Sequence, residues 1–159
     1  MKQYNLKGKT LILEVNKPNL FVRGMMFFFS FLSFILPLLG IVLSLTIGKR
    51  FHFGYLIGLF IFGLIGFYLL RVALWNTYGK EIFELNIPNI KYEADYGWFK
   101  DGKKTITPDI LNYSVKPIGY EDEKNGVLVI GHDELEIESV VKMPIDQLDE
   151  LIKILNSSS

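Results

Sequence analysis

Hydrophobic and polar positions are distributed very unevenly along this chain. Two stretches without a charged residue, Gly24 to Gly48 and Phe51 to Leu70, are separated only by Lys49 and Arg50. About 18–20 apolar residues, at 1.5 Å per residue, cross the roughly 30 Å hydrocarbon core of a bilayer. The pattern predicts a transmembrane hairpin within residues 20–78, with helices over about 24–48 and 51–70. Neither run carries the polar face that a soluble helix pair in a chain this small requires. Both outlast the roughly 7–15-residue apolar core of a signal peptide. Pro37 removes a backbone donor inside the first run and predicts a kink. Gly54, Gly58, Gly63 and Gly66 are candidate helix-packing positions, because small residues let helix backbones approach closely. They would pack against the first helix of the same hairpin, or against a second copy.

Beyond the hairpin the period changes to two. Lys80 to Asn86 reads as a short strand. Ile90, Tyr92, Ala94, Tyr96 and Trp98 then alternate with Lys91, Glu93, Asp95, Gly97 and Phe99, which predicts one strand with Trp98 on its buried face. Trp98-Phe99 and Tyr120-Glu121 are accordingly expected to pack rather than to form a binding surface. Asp101-Gly102 predicts a hairpin turn, and Lys103 to Thr107 the returning strand. Ile110 to Val115, Val127 to Ile130 and Glu134 to Lys142 follow as strands, separated by Pro, Asn and Gly signals. In the last of them Leu135, Ile137, Ser139 and Val141 share one face. Glu134, Glu136 and Glu138 share the other, which reads as a solvated face rather than a metal site. Pro144 opens a helix over 144–155, whose Ile145, Leu148, Leu151, Ile152 and Leu155 form an apolar stripe. Ahead of the hairpin, Thr10 to Val15 reads as a strand, with a turn at Lys7-Gly8-Lys9. That strand would lack a partner alone at a membrane surface, so residues 1–19 are expected to pair with the C-terminal sheet of residues 79–159.

Charge sets the orientation. Lys2, Lys7, Lys9, Lys17 and Arg23 precede the hairpin and Arg71 and Lys80 follow it, against Lys49 and Arg50 in the loop. Basic residues stay on the cytoplasmic side, so both termini are expected in the cytoplasm. Arg71, Trp75 and Tyr78 are candidate interfacial anchors there. The formal net charge of zero over 159 residues hides an asymmetry. Residues 1–79 carry +7 and residues 80–159 carry −7. The basic half suits anionic lipid. The acidic half repels phosphate and argues against nucleic acid as a partner.

Candidate chemistry is sparse. The chain has no cysteine, which excludes disulfides, thiolate catalysis and cysteine-ligated zinc. Its two histidines, His52 and His132, are expected on opposite sides of the membrane. Neither a nucleophile on a rigid turn nor a phosphate-cradling glycine loop is present. A non-enzymatic protein without cofactor or metal is expected.

The order of about seven largely antiparallel strands and one amphipathic helix resembles bacterial pleckstrin-homology-like (PH-like) domain membrane proteins. The stretches IPNIKYEADYGWFKDGKKTITPDIL and NGVLVIGHDELEIESVVKMPIDQLDELIKIL carry the likeness. The resemblance implies a membrane α + β fold. In it a two-helix hairpin is inserted after an N-terminal strand, and a small antiparallel sheet or partial barrel is closed by the C-terminal helix. It transfers no catalytic residue. It implies an adaptor that binds a protein partner, or assembles as a homo-oligomer, at the bilayer. A second likeness, in domain order, is to antiphage effectors whose two membrane helices precede a β domain sensing a cyclic oligonucleotide. A membrane immunity protein is a third expectation.

Overall fold

The structure, a computed structural model, describes residues 2–119, 124–132 and 135–158. It divides into two compact units. One comprises residues 17–77, and the other residues 1–16 together with 78–159.

The first unit holds two helices, α1 (Leu20–Thr46) and α2 (Phe53–Tyr78). Both are long and apolar enough to cross a membrane, with mean hydropathy of 2.5 and 2.2 over their most apolar windows. Only 6% and 11% of those windows is buried, and many of the large apolar side chains of both helices are exposed. The helices differ in length from the uncharged runs. α1 begins four residues before Gly24, because the Asn19 side chain caps it by accepting from the Val22 N–H at 2.9 Å. α2 continues past Leu70 through Arg71 and Trp75 to Tyr78, since no proline or glycine interrupts Arg71 to Tyr78. Arg71 and Trp75 therefore lie within the helix rather than beyond it.

The hairpin interior is held at two levels. The Ser30 hydroxyl, fully buried, donates to the Gly66 carbonyl of α2 at 3.0 Å. One turn along α1 the Phe34 ring lies against Gly66, where an added Cβ would come within 2.8 Å of it. Nearer the loop the hydroxyls of Ser44 and Tyr55 are hydrogen-bonded to each other. Interhelical bonds of this kind contribute about 0.6–2 kcal/mol each in an apolar medium.

The second unit is built from two antiparallel sheets and a helix. The first sheet runs in the order β1 (Tyr4–Lys7), β2 (Thr10–Glu14), β3 (Lys80–Asn86), β4 (Asn89–Asp95), β5 (Lys100–Ile106). Its neighbours β2 and β3 are consecutive in the sheet although residues 15–79 separate them in the chain. Thr10 pairs with Glu84 and Glu14 with Lys80. The second sheet holds β6 (Tyr113–Pro117), β7 (Asn125–His132) and β8 (Leu135–Glu138), with β9 (Met143–Pro144) also pairing with β7. The central strand β7 is buried from Gly126 to Gly131, as expected for a short continuous apolar run covered on both faces. Helix α3 (Ile145–Ser158) lays Leu148, Leu151 and Leu155 onto this sheet. Each such leucine contributes about 1.5–3 kcal/mol on burial. Gly126 leaves no room for a side chain beneath the helix, since a Cβ there would meet Val115 at 2.9 Å and Leu148 at 3.2 Å. At the other edge, Lys2 pairs with Glu150 at 2.7 Å and the Gln3 N–H donates to the Gln147 side chain at 3.2 Å, tying the first residues of the chain to α3.

The turn expected at Asp101-Gly102 lies elsewhere. The chain leaves β4 after Asp95 and reverses through Tyr96 to Phe99, closed by Tyr96 N–H donating to the Phe99 carbonyl at 2.9 Å. The Asp95 carboxylate accepts from the Gly97 N–H at 2.7 Å, and Gly97 adopts φ +84°. Such a side-chain turn followed by a left-handed glycine outcompetes the Asp-Gly signal. Asp101-Gly102 falls inside β5, where the register shifts between Tyr92 and Ala94 and Gly102 takes φ +66° as a bulge. The strand expected to run through Trp98 is thus cut short. Likewise β8 ends at Glu138, four residues before the expected limit, and α3 starts after Pro144, which belongs to β9.

Candidate functional site

In β3 the strand parity puts Glu81 on the same face as Phe83 and Leu85, opposite Leu13 of β2 and Ala94 of β4. That face is the core, and Glu81 is fully buried. A carboxyl there requires donors, and three converge on it. The Tyr92 hydroxyl donates to Oε1 at 2.7 Å, the Val140 N–H donates to Oε1 at 2.8 Å, and the Val141 N–H donates to Oε2 at 2.9 Å. Tyr92 belongs to the first sheet, and Val140 and Val141 follow β8 of the second. One side chain therefore joins the two sheets. Next to it the buried Ser139 hydroxyl accepts from the Leu128 N–H at 2.9 Å and donates to the Val141 carbonyl at 3.3 Å, so the segment after β8 is bonded on both sides.

Burial pushes the Glu81 carboxyl above the ordinary carboxylate value, and the three donors only partly oppose it. The phenol of Tyr92 is raised too, by its own burial and then by the neighbouring carboxylate, so it remains a protonated donor. The arrangement positions a polar joint; it offers no open site to a substrate.

The outer face of the first sheet carries a shallow cleft of about 210 Å³ among Glu84, Lys91, Glu93, Lys103 and Lys104. Its charges are largely paired. Lys100 and Lys103 lie 2.7 and 3.3 Å from Glu93, and Lys91 lies 3.8 Å from Glu84. Lys104 donates to the Glu136 carbonyl at 2.6 Å. The two lysines hold Glu93 below the ordinary carboxylate value. Exposed pairs of this kind contribute at most about 1 kcal/mol.

In the helical unit an apolar groove of about 500 Å³ runs between the helices, lined by Phe21, Met25 and Phe29 of α1 and Phe62, Leu69 and Val72 of α2. Of the four glycines singled out as packing positions, Gly66 faces Phe34, whereas added Cβ atoms at Gly54, Gly58 and Gly63 would meet nothing within 4 Å. Of the candidate anchors, Arg71 and Trp75 are half-buried and Tyr78 is 45% exposed. His52 stacks edge-on with Tyr55 in the helical unit, and His132 ends β7 in the other. Glu136 and Glu138 lie on β8, where Glu138 pairs with Lys116 at 2.6 Å. Glu134 and the Tyr120-Glu121 pair lie outside the described residues. Among the described residues no group of three or more His, Asp or Glu side chains could hold a metal ion. No protein-family model, curated protein or solved structure matches this chain.

The Glu81 joint yields a signed prediction. Because its carboxyl is raised in the folded state, its stabilising contribution is full below the ordinary value of 4.5 and is lost as pH rises through the raised one. Thermal unfolding of the full chain in detergent, followed by near-ultraviolet circular dichroism, should show that decline above pH 4.5 and its disappearance in Glu81→Gln. Glu81→Gln also turns an amide N–H₂ toward backbone donors and should cost about 1–3 kcal/mol at low pH. Tyr92→Phe should cost about 1 kcal/mol. An unchanged pH profile in Glu81→Gln would contradict the assignment.

Proposed function

We propose that the chain is a two-helix integral membrane protein whose hairpin holds an acidic, PH-like β unit at the cytoplasmic face of the bacterial inner membrane. There the unit acts without enzymatic chemistry, as a binding surface for another protein. The observation that carries this reading is the insertion of the apolar hairpin between two adjacent strands of one sheet. Gly79 alone separates α2 from β3, and Val15 N–H donates to the Gly79 carbonyl at 3.2 Å, so the chain enters and leaves the hairpin from one pair of strands. Water would leave Leu20 and Phe21 77% and 75% exposed, along with most of the apolar surface of both helices. Lipid removes that cost. The order of a larger antiparallel sheet, a smaller one and a closing helix supports the PH-like description. The units also separate charge. All seventeen acids fall in the β unit, which totals −5, and the helical unit carries +5. Positive flanks and an acidic body suit an anionic membrane on one side and a basic protein surface on the other.

Cross-linking in native membranes followed by purification in mild detergent tests this reading. A stoichiometric partner with a basic contact surface, lost at high salt, is the expected result. Recovery of a tightly held small ligand and no protein partner would overturn it.

A second reading is favoured by the open glycine positions. Gly54, Gly58 and Gly63 do not pack inside the hairpin, so they are available for helix association between copies. The β unit would then sense a small ligand, such as a cyclic oligonucleotide, and drive hairpin self-association. Gly54→Ile with Gly58→Ile should abolish homodimer cross-linking and leave membrane insertion intact. Unchanged cross-linking would exclude this face.

A further inference from the structure

The turn between β4 and β5 has an unusual composition for the surface of an acidic domain, Tyr96-Gly97-Trp98-Phe99. We infer that this turn is a third membrane contact, in which Trp98 seats in the headgroup layer of the bilayer beside the point where α2 leaves it. The inference rests on the reading of α1 and α2 as membrane-spanning.

Three observations carry it. Trp98 is 62% exposed, the most exposed Phe, Tyr or Trp among the described residues of the β unit. A tryptophan carries roughly 150–250 Å² of largely apolar surface with one polar N–H, a combination that favours the boundary between hydrocarbon and water. The turn is stiff. Tyr96 and Phe99 stack at 4.7 Å with their planes 12° apart, and Asp95 holds the Gly97 N–H, so Trp98 projects from a fixed base at little entropic cost. The turn is also tied to the end of the spanning helix. Tyr78, the last residue of α2, belongs to the β unit and touches Gly97, where an added Cβ would lie 2.8 Å from the Tyr78 Cβ. The neighbour of Trp98 in sequence is therefore the neighbour of the helix end in space, however the rest of the unit is turned.

Helix length sets the depth. The 26 residues of α2 extend about 39 Å. A bilayer with its headgroups measures about 40–45 Å. With Tyr78 ending in the headgroup layer, the contact of Gly97 with Tyr78 brings the adjoining Trp98 within reach of that layer.

The chain contains two tryptophans, which makes the test direct. The full chain is reconstituted into phosphatidylcholine and phosphatidylglycerol vesicles containing lipids brominated either near the headgroup or near the methyl end. In Trp75→Phe the emission of Trp98 should fall more with shallow bromines than with deep ones, and Trp98 should resist acrylamide. Loss of Trp98 emission to acrylamide, with no bromine quenching, would overturn the inference. If Trp75 in Trp98→Phe remains lipid-quenched in that case, the spanning reading stands. If neither tryptophan is quenched by lipid and the protein fails to float with the vesicles, both fall. The absence of cysteine allows a second route that spares Trp75. A nitroxide on Trp98→Cys should collide with dissolved oxygen more than with a water-soluble nickel chelate, as should one on Phe60→Cys in mid-helix. Chelate dominance at position 98 alone would contradict the docking.

Discussion

A buried polar joint at Glu81 connects the two sheets of the β unit. Glu81 brings a carboxyl into the core between the sheets, and Tyr92, Val140 and Val141 surround it with donors. Apolar packing alone would let two small sheets slide against one another, whereas a carboxyl with three directional bonds has one satisfied geometry. Removing any partner leaves a buried group unpaired, which costs more than the bond contributes. The joint also decides where the second sheet stops. Val140 and Val141 turn their N–H groups to Glu81 and not to β7, so β8 ends at Glu138 and the chain is redirected through Met143 into α3.

Glu81 is the second residue of β3, and Tyr78 is the last of α2. On the opposite connection, β2 pairs with β3 from Thr10 to Glu14 and leads through Asn19 into α1. The hairpin is thus an insertion between two strands, β2 and β3, that pair with each other.

Much of this was legible from the pattern of residues, and the failures have physical causes. The helical runs were plain because each holds about 20 or more residues without a charge. Their ends were not, because caps and continuations such as Asn19 and Arg71–Tyr78 rely on single residues and not on composition. β3 was read with its limits intact, since Lys80 to Asn86 lies between a helix end and a proline turn. The meaning of Glu81 was missed, although parity alone places it beside Phe83 and Leu85. A strand with an acid on its apolar face was the signal. The β4–β5 turn was misplaced because Gly97 hides inside an unbroken alternation, while Asp101-Gly102 presents the stronger local motif. Only the Asp95 side chain and the stacked Tyr96 and Phe99 rings decide between them, and they release Trp98 from the core to the surface.

The account stands or falls on the hairpin crossing a bilayer with the β unit inside the cell. The cysteine-free chain permits a direct measurement. Single substitutions Lys49→Cys, in the loop between the helices, and Asn156→Cys, in α3, are treated in intact spheroplasts with a membrane-impermeant maleimide. The account predicts labelling at position 49 and none at position 156 until the membrane is permeabilised. Labelling at position 156 in intact spheroplasts, or at neither position before permeabilisation, would contradict it.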